Sequence, residues 1–589
     1  MVPIPNPSYP SETDLAAMVE GTTTAAQIPF GEYVFRRLRQ LSVKSIFGVP
    51  GDFNMNLLDH IGSVENLKWV GCCNELNAGY AADGYARFSR TLGVSVVTYG
   101  VGELSIMNAI GGSYAEWVPQ LVIVGTSPMS KKSAPGQVHH LVPTRDPYAV
   151  APDHHVYEKM VDGICIAKES VEDVNAGVQQ VDALIEAILA NVRPGYLFLP
   201  IDLQDALVDS SRLNIPLKTT AVDSDPAASK QVAENILEKL YNSKNPAIIG
   251  DILTDRFHVS HWVRDFVNRT KINNYSTPMG KTVLDETNES YIAEYNGKLS
   301  NPGVKETIEA SDCVLHFGSY LAETNTGIYS SDFDEDALVL LTPYYVQIGK
   351  KLVKGVNFSH VIKHMLELID ISKVPTPVRP VGINTIVNTP SPADISQTFL
   401  AAQVEKYLQP NDVVIAETCS FQFAFSDIRL PKNALYFAQA FYLSIGYALP
   451  ATLGIGVAMK DSGYEGRMIL FQGDGSAQMT IQEFATYLRQ DIKPTIFLLN
   501  NNGYTVERII HGPNQLYNDI QPDWDWRGIF KTFGDKEGKR HFTKKIATKE
   551  ELVSTLADEK LAKQTQIQLY EVILDKMDVP WRFSAMQTL

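Results

Sequence analysis

Residues 468–503 read MILFQGDGSAQMTIQEFATYLRQDIKPTIFLLNNNG and contain two apolar runs, each followed by a polar turn. Because the apolar residues are consecutive rather than alternating, they predict strands buried on both faces at 468–471 and 495–499. The turns are GDGS at 473–476 and NNNG at 500–503. One helical crossover between parallel strands would bring both turns to the same carboxyl edge, where α/β sheets bind ligands. The stretch therefore predicts a ligand site on a parallel sheet.

The polar groups of these two turns suit a divalent cation and a phosphate. A carboxylate at Asp474, an amide oxygen at Asn501 and the carbonyl of Gly503 form an oxygen set that Mg²⁺ favours, with coordination positions left for phosphate and water. The backbone amides of Gly475 and Ser476 would open the next helix and donate to an anion. Either turn alone is usually only a turn. The pair, each member behind a buried strand, predicts a diphosphate held through a metal.

The same strand pattern recurs along the 589 residues, with helical periodicity between many of the strands. This alternation predicts parallel sheets joined by crossovers. Polar, Pro-rich stretches at 208–227 and 372–393 predict linkers. We therefore expect an α/β protein of three doubly wound parallel-sheet domains, at 26–207, 228–371 and 394–589, behind a flexible N-terminal tail at 1–25. The predicted strands are 45–49, 92–98, 120–125, 196–201, 247–250, 313–317, 338–341, 413–416, 468–471, 495–499 and 569–574.

Composition disfavours several classes of partner and compartment. The formal net charge of −16 repels phosphate backbones and anionic lipid, and no block of Lys and Arg offsets it, so we expect no nucleic-acid or membrane role. The five cysteines are sparse and odd in number, which is typical of reduced thiols. The N-terminus lacks the charge and apolar run of a targeting signal. We expect a cytoplasmic protein.

From Ile28 to its end, the chain that contains these two turns resembles the thiamine diphosphate-dependent pyruvate and indolepyruvate decarboxylase family. The resemblance implies a pyrimidine-binding domain, a middle domain and a diphosphate-binding domain, with thiamine diphosphate and Mg²⁺ as cofactors. It implies that a 2-keto acid loses CO₂ to give an aldehyde. Because family members place each cofactor between the first domain of one subunit and the third domain of its partner, it also implies a homodimer or homotetramer.

The resemblance assigns five catalytic residues. Glu75, in CNELN at 73–77, faces the aminopyrimidine ring and exchanges a proton with it, and its Ala- and Gly-rich neighbours lead us to expect burial and a raised pKa. Asp52, in GVPGDF at 48–53, would contact the substrate. With the adjacent active-site histidines His139 and His140 and the second catalytic acid Glu507, it would make the remaining proton transfers. By themselves, Glu75 could be an acid of a helix N-terminus and Asp52 a helix N-cap. Without the family pattern, the second histidine pair at 154–155 could not be distinguished from the first.

The resemblance also assigns residues that bind the cofactor. Ile445 corresponds to the bulky residue between the cofactor rings, and we expect it in a core helix. The carbonyl of Leu443 would hold the cofactor amino group; pyruvate decarboxylases usually have Gly here, so the Leu side chain must find space. The assigned cofactor-binding residues are Glu75, Ser420, Leu443, Ile445, Asp474, Gly475, Ser476, Asn501, Gly503, Tyr504, Thr505 and Val506, with Asp474, Asn501 and Gly503 as metal ligands.

Within the family, the resemblance is strongest to the fungal broad-specificity phenylpyruvate decarboxylases, through segments 28–33, 139–143, 420–423 and 443–450. Val506 stands where pyruvate decarboxylases often carry Ile. One methylene is worth only about 1–3 kcal/mol in an apolar pocket, so it biases selection without excluding pyruvate. We expect phenylpyruvate, indolepyruvate and branched-chain keto acids to be favoured, in amino-acid catabolism to fusel alcohols. Leu253 and Thr254 replace the regulatory cysteines of some fungal relatives, which predicts no thiol-based activation.

Three other functions stay open at this point. The first is a pyruvate decarboxylase of fermentation. The second is a carboligase of the same cofactor class, in which the middle domain usually binds a flavin. The third is a thiamine diphosphate-sensing regulatory protein, which would keep the metal residues and lose catalytic ones; the five catalytic positions present here argue against it.

Overall fold

The computed structural model describes residues 26–132, 134, 136–219, 226–381, 383 and 394–589. The predicted tail at 1–25 lies outside them. The described residues form two compact units, the first within 1–221 together with Leu449–Glu465 and Thr480–Ile492, and the second within 222–448 together with Gly466–Met479 and Lys493–Leu589. The finer division into three domains at the boundaries given above stays a prediction.

The first unit contains a six-stranded sheet in which all neighbouring strands are parallel, in the order β3-β2-β4-β5-β7-β6. A separate two-stranded antiparallel sheet joins β1 to β8. The strands are β1 Gln27–Pro29, β2 Ser45–Gly48, β3 Lys68–Gly71, β4 Gly93–Thr98, β5 Gln120–Thr126, β6 Ala167–Ser170, β7 Gly195–Pro200 and β8 Leu207–Asp209.

The first predicted linker is wrong in its N-terminal half. Val208 lies in β8, and a 3₁₀ helix follows at Ser210–Asn214. Val208, Leu213 and Leu217 are buried in the apolar core of the first unit. The segment looks polar in sequence because only one of its sides packs inward, so its apolar residues are few and widely spaced.

The middle sheet has the order β11-β10-β9-β12-β13-β14-β15. It is parallel except for β14 and β15, which form an antiparallel hairpin and correct the expectation of a wholly parallel sheet. A tight turn through Gly349, at φ 55°, makes this reversal possible. The strands are β9 Pro246–Gly250, β10 Asn273–Ser276, β11 Tyr291–Glu294, β12 Cys313–Phe317, β13 Leu338–Leu341, β14 Tyr345–Ile348 and β15 Lys351–Lys354.

Strand order in the middle sheet reverses between β9 and β12, the switch point at which doubly wound sheets bind nucleotides. Here the buried Asp251 carboxylate lies at that point. It accepts hydrogen bonds from Thr277 (2.6 Å) and the amide of Asn325 (3.0 Å), and it pairs with His316 (3.0 Å). Protein side chains therefore hold the end of β9 where a nucleotide-binding sheet would meet its ligand.

The third sheet is parallel throughout, in the order β17-β16-β18-β19-β21-β20. Counted from its own first strand, this order is the same as that of the six-stranded sheet in the first unit. The common strand-helix rhythm of the first and third blocks is thus a common topology. The strands are β16 Val413–Ala416, β17 Leu435–Ala438, β18 Met468–Gly473, β19 Thr495–Asn500, β20 His541–Ile546 and β21 Ile567–Ile573.

Helices connect most of the parallel strands. They are α1 Phe30–Gln40, α2 Met55–Asp59, α3 Glu75–Ser89, α4 Val101–Ala115, α5 Met129–Lys132, α6 Val156–Met160, α7 Val174–Asn191, α8 Pro226–Tyr241, α9 Ile252–Arg256, α10 Ser260–Thr270, α11 Val304–Glu309, α12 Phe358–Leu368, α13 Gln397–Tyr407, α14 Ala448–Ser462, α15 Asp474–Thr480, α16 Glu483–Gln490, α17 Thr505–His511, α18 Ile529–Thr532, α19 Lys549–Leu556, α20 Glu559–Ala562 and α21 Trp581–Met586. Over the described part of the chain, none of them has the length and apolar character needed to cross a membrane.

Every predicted strand is present, with ends that differ by at most two residues. The fold class, α/β with parallel sheets, is therefore confirmed. Short edge strands such as β3, β6 and β20 were not predicted. Edge strands have one uncovered side, so their sequences carry polar residues and lack the continuous apolar run of a central strand.

Candidate active site

The two polar turns at 473–476 and 500–503 lie at one edge of the third sheet. Strands β18 and β19 are adjacent and parallel, with Gly473 opposite Leu499. Helix α15 begins at Asp474, immediately after β18, and Asn501 follows the last residue of β19. Both side chains are buried. The parallel register thus brings together the two turns that the sequence paired.

Three polar groups converge at this edge. One terminal atom of the Asn501 side-chain amide lies 3.1 Å from Asp474 Oδ1 and 2.7 Å from the Gly503 carbonyl oxygen. The other terminal atom lies 2.7 Å from Thr505 Oγ1. The amide orientation decides whether this is a hydrogen-bonded turn or a cluster of oxygens.

Thr505 decides the orientation of the Asn501 amide. Its hydroxyl donates to the Lys576 carbonyl at 3.0 Å, so its oxygen is left to accept from the Asn501 nitrogen. In this orientation the Asn501 oxygen faces Asp474 Oδ1 at 3.1 Å and the Gly503 carbonyl oxygen at 2.7 Å. Neighbouring ligands of an octahedral Mg²⁺ ion, at about 2.1 Å from the metal, have the same separation. The residues fit a small divalent cation.

Burial makes the ionised form of the Asp474 carboxylate costly unless a positive partner lies beside it. Desolvation raises its pKa to about 6, although the amides of Gly475 and Gly503 donate to it at 2.8 and 3.2 Å. The buried Arg508 holds the loop in place by donating to the carbonyls of Asn501 and Asn502, at 3.1 and 2.6 Å. The cation site is therefore built from fixed backbone as well as from side chains.

Most of the other predicted cofactor-binding and catalytic residues of the second unit lie near the start of α15 and α17, and Ser420 lies at the start of a 3₁₀ helix. The Tyr504 ring packs on Gly475, where an added Cβ would stand 2.8 Å from the ring. Ser476 Oγ donates to the Gly473 carbonyl at 3.0 Å. Ser420 is buried at the start of a 3₁₀ helix and accepts from Gln397 at 2.9 Å. Val506 and Glu507, in the first turn of α17, are half-buried.

Segment 443–448 is fixed by a buried carboxylate. Glu417 accepts from the amides of Gly446 at 3.0 Å and Ala448 at 2.8 Å, and burial raises its pKa to about 7. Leu443 adopts the left-handed conformation, at φ 56°, which explains why Gly is usual here. Ile445 lies in the turn before α14, and its predicted place in a core helix is wrong, because the helix begins only at Ala448.

The three residues of the first unit that are predicted to transfer protons to or from the substrate form one cluster. His139 Nε2 lies 2.6 Å from Asp52 Oδ2, and His140 Nε2 lies 3.8 Å from Asp52 Oδ1. The Phe53 ring stacks on His139, with centroids 4.9 Å apart. Asp52 is not a helix N-cap, because Asn54 occupies that position of α2. A carboxylate beside two exposed imidazoles can accept, hold and return protons.

The second histidine pair has a different environment. His154 is buried and bonds Ser127 through its ring at 2.8 Å, while its carbonyl accepts from Tyr99 at 2.9 Å. The His155 ring pairs with Glu158 at 2.8 Å. The structure therefore separates the two pairs, with only 139–140 contacting Asp52.

Glu75 is the first residue of α3, behind an Asn74 N-cap. It is half-buried in the single chain, so the expected full burial is not found. The reason is its position at the helix start, ahead of the buried Ala- and Gly-rich turns. Its carboxylate lies against Gly102, where an added Cβ would stand 3.0 Å from Oε1.

Comparison with known proteins covers almost the whole chain. Three family descriptions match: the N-terminal TPP binding domain of thiamine pyrophosphate enzymes at 28–150, their central domain at 233–369 and their C-terminal TPP binding domain at 418–564. The transaminated amino acid decarboxylase of Saccharomyces cerevisiae is 40% identical, over 95% of each protein. Pyruvate decarboxylases of that yeast (isozyme 3) and of Candida glabrata are 38% and 37% identical, over 94% of this chain and 97% of the relative.

The chain belongs to the thiamine pyrophosphate enzyme family. This confirms the resemblance found in the sequence. Among thiamine pyrophosphate enzymes it is a decarboxylase, and its reaction is the non-oxidative decarboxylation of a 2-keto acid. Thiamine diphosphate, the same compound as thiamine pyrophosphate, is its cofactor.

Several functionally placed residues of this thiamine pyrophosphate enzyme were not identified from sequence. Arg508 holds the loop at 501–503, and Glu417 fixes the segment that contains Leu443 and Ile445. Tyr157 holds the loop of His140. No sequence motif identifies these three residues, because each contacts backbone groups that come close to it only in the folded chain. Burial of an Arg or Glu is the property that marks them, and a single sequence does not reveal it.

Proposed function

We propose that this 2-keto acid decarboxylase acts preferentially on aromatic and branched-chain substrates, in the catabolism of amino acids to fusel alcohols. One support is the similarity to a yeast protein named for decarboxylating transaminated amino acids. The other is Val506, half-buried in the first turn of α17, next to Glu507. A smaller side chain there leaves room for a larger substrate, by about one methylene.

The polar groups of Asp474, Asn501 and Gly503 support the proposed binding of the cofactor through Mg²⁺. Asp474, Asn501 and the Gly503 carbonyl would hold Mg²⁺, and the Ser476 amide would donate to a diphosphate oxygen. The Gly475 amide, assigned the same role from sequence, donates to Asp474 at 2.8 Å. The assigned contacts along the rest of the cofactor are Ser420, Leu443, Ile445, Tyr504, Thr505 and Val506, with Glu75 on the pyrimidine. Bound thiamine diphosphate supplies an electron sink for the charge left when CO₂ departs.

The protein's own task is then to orient the keto acid and move protons. Asp52, His139 and His140 form one cluster that can relay a proton, since Asp52 Oδ2 and His139 Nε2 are 2.6 Å apart. Glu507 would act from the diphosphate side. Glu75 would exchange a proton with a ring nitrogen of the cofactor. These roles are carried over from the family motifs at the same residues.

Pyruvate decarboxylation is the second candidate, because pyruvate decarboxylases 36–38% identical match nearly all of this chain. We further propose a homodimer or homotetramer in the cytoplasm, with each active site between subunits. The support for assembly is that the predicted pyrimidine-side and diphosphate-side residues belong to different compact units of the chain.

Steady-state assays on the purified enzyme test the proposal. We expect kcat/KM to be larger for phenylpyruvate, indolepyruvate and 2-ketoisocaproate than for pyruvate, with aldehyde and CO₂ as products. Activity should disappear after removal of Mg²⁺ and cofactor and return when both are added. A larger kcat/KM for pyruvate would select the second candidate. A ligated hydroxy-keto acid as product would exclude both.

A further inference from the structure

His140 has an unusual backbone conformation for a residue assigned to catalysis. Its φ is 68°, in the left-handed region that non-glycine residues rarely adopt. Such a conformation persists only when the surrounding structure enforces it. The direction of the imidazole therefore depends on whatever holds the turn at His140.

Tyr157, in α6, holds one side of this turn. Its hydroxyl donates to the His140 carbonyl at 2.7 Å and accepts from the Val142 amide at 3.0 Å. One oxygen thus bridges the backbone on both sides of Leu141. The tyrosine is itself fixed, because it is 2% exposed and its ring packs edge-on against Tyr99, with centroids 5.5 Å apart.

Gly100 bounds the other side of the turn. An added Cβ on Gly100 would stand 2.1 Å from the His140 carbonyl oxygen, so the two backbones are in close contact. Gly100 has φ 63° and ψ −80°, and the Val101 amide donates to the Tyr99 carbonyl at 2.8 Å across it, which forms a γ-turn. The His140 carbonyl is therefore confined between Gly100 and the Tyr157 hydroxyl.

We propose that Tyr157 is a positioning residue for His140. Its hydroxyl selects the left-handed turn that directs the His140 ring to Asp52, 3.8 Å away, and next to His139, with ring centroids 4.6 Å apart. This rests on the proposed catalytic role of His140. Tyr157 does not itself touch the reacting atoms; it acts through the backbone that it bridges.

The test compares Tyr157→Phe with Tyr196→Phe in the full-length holoenzyme. Tyr157→Phe keeps the buried ring and removes only the bridging hydroxyl. Tyr196, in β7 of the same unit, is also buried, and its hydroxyl has no hydrogen-bond partner in the described part of the chain. Both variants lose one buried hydroxyl, but only the first releases the His140 turn.

We expect Tyr157→Phe to lower kcat about tenfold with little change in KM, since a small displacement of a catalytic group is costly. The pH profile of kcat should change, and the ¹³Cε1 resonance of His140, measured in histidine-labelled protein, should shift. Tyr196→Phe should match the wild type in all three measurements. Thermal unfolding of both variants shows whether either loses stability.

Three outcomes distinguish a failure of the positioning role of Tyr157 from a failure of the catalytic role of His140. If His140→Ala keeps its activity, the proposed role of His140 is wrong. If His140→Ala is inactive and Tyr157→Phe behaves like Tyr196→Phe, the positioning role of Tyr157 is wrong. A Tyr157→Phe variant that loses activity and stability while the His140 resonance stays unchanged would also overturn it, because the hydroxyl would then serve only the fold.

Discussion

Asp474 is the carboxylate among the three proposed metal ligands. It is buried, its Oδ1 lies 3.1 Å from a terminal atom of the Asn501 amide, and it accepts hydrogen bonds from two backbone amides that do not offset its desolvation. Replacing its charge while keeping its shape should therefore affect metal binding more than folding.

We expect Asp474→Asn to weaken Mg²⁺-dependent binding of thiamine diphosphate by about 100-fold or more, because even the outer partners of metal ligands contribute 10- to 100-fold. Calorimetric titration of the cofactor, with and without Mg²⁺, measures this. Asp523→Asn, at an exposed position of the same unit, is the control and should bind normally. Equal affinities in the two variants would show that Asp474 is not a ligand.

Residue positions at the edge formed by β18 and β19 could be predicted because the register of two adjacent parallel strands determines where their next residues lie. Asp474 and Asn501 needed only that register. Leu443, by contrast, has a left-handed backbone that its residue type disfavours, and Tyr157 acts on a carbonyl 17 residues away. Such features depend on tertiary contacts, which local sequence patterns do not encode.

Helix α4 begins beside the His140 turn with an unusual acid. Glu103, at the third position of the helix, is fully buried and accepts from the Gly100 amide at 3.3 Å. Burial raises its pKa from 4.5 to about 8, with a smaller contribution from Glu158. This shift favours the protonated carboxyl in the folded protein at neutral pH.

This environment predicts a pH dependence of stability. The raised pKa of Glu103 means that the folded protein binds the proton more tightly than the unfolded chain does. This contribution to the free energy of unfolding is complete below pH 4.5 and is lost as the pH rises towards 8. The Gln side chain of Glu103→Gln cannot ionise. The free energy of unfolding of this variant should therefore rise relative to that of the wild type by up to about 1.4 kcal/mol for each pH unit in this window. Denaturant unfolding at several pH values measures the difference.

Glu537→Gln is the control for the Glu103 experiment, because the Glu537 side chain is 72% exposed and pairs with exposed Lys539. Its difference from the wild type should stay constant over the same pH range. If the free energy of unfolding of Glu103→Gln also differed from that of the wild type by a constant amount, Glu103 would be ionised over this pH range. Helix α4 would then begin around a charged acid.

At the scale of the whole molecule, the residues predicted to bind the cofactor are divided between the two compact units of the chain. Glu75 belongs to the first unit, and Asp474 belongs to the second. If each site combines Glu75 of one subunit with Asp474 of its partner, two inactive variants can restore one another. A heterodimer of Glu75→Gln and Asp474→Asn would carry one doubly altered site and one intact site.

We expect this heterodimer, co-expressed with two different tags and purified through both, to have about half the wild-type activity. Each variant homodimer, purified in the same way, should be inactive and serves as the control. A heterodimer as inactive as its parents would mean that both residues act within a single chain, and the proposed intersubunit site would be wrong.

The outer strand of the middle sheet, β15, begins and ends with exposed lysines, Lys351 and Lys354. A strand at an open edge offers unpaired amides and carbonyls, on which a neighbouring molecule could extend the sheet into a fibril. In an antiparallel pairing of two such strands, their ammonium groups would meet like charges. The two lysines therefore oppose the addition of a second molecule at the β15 edge of the middle sheet.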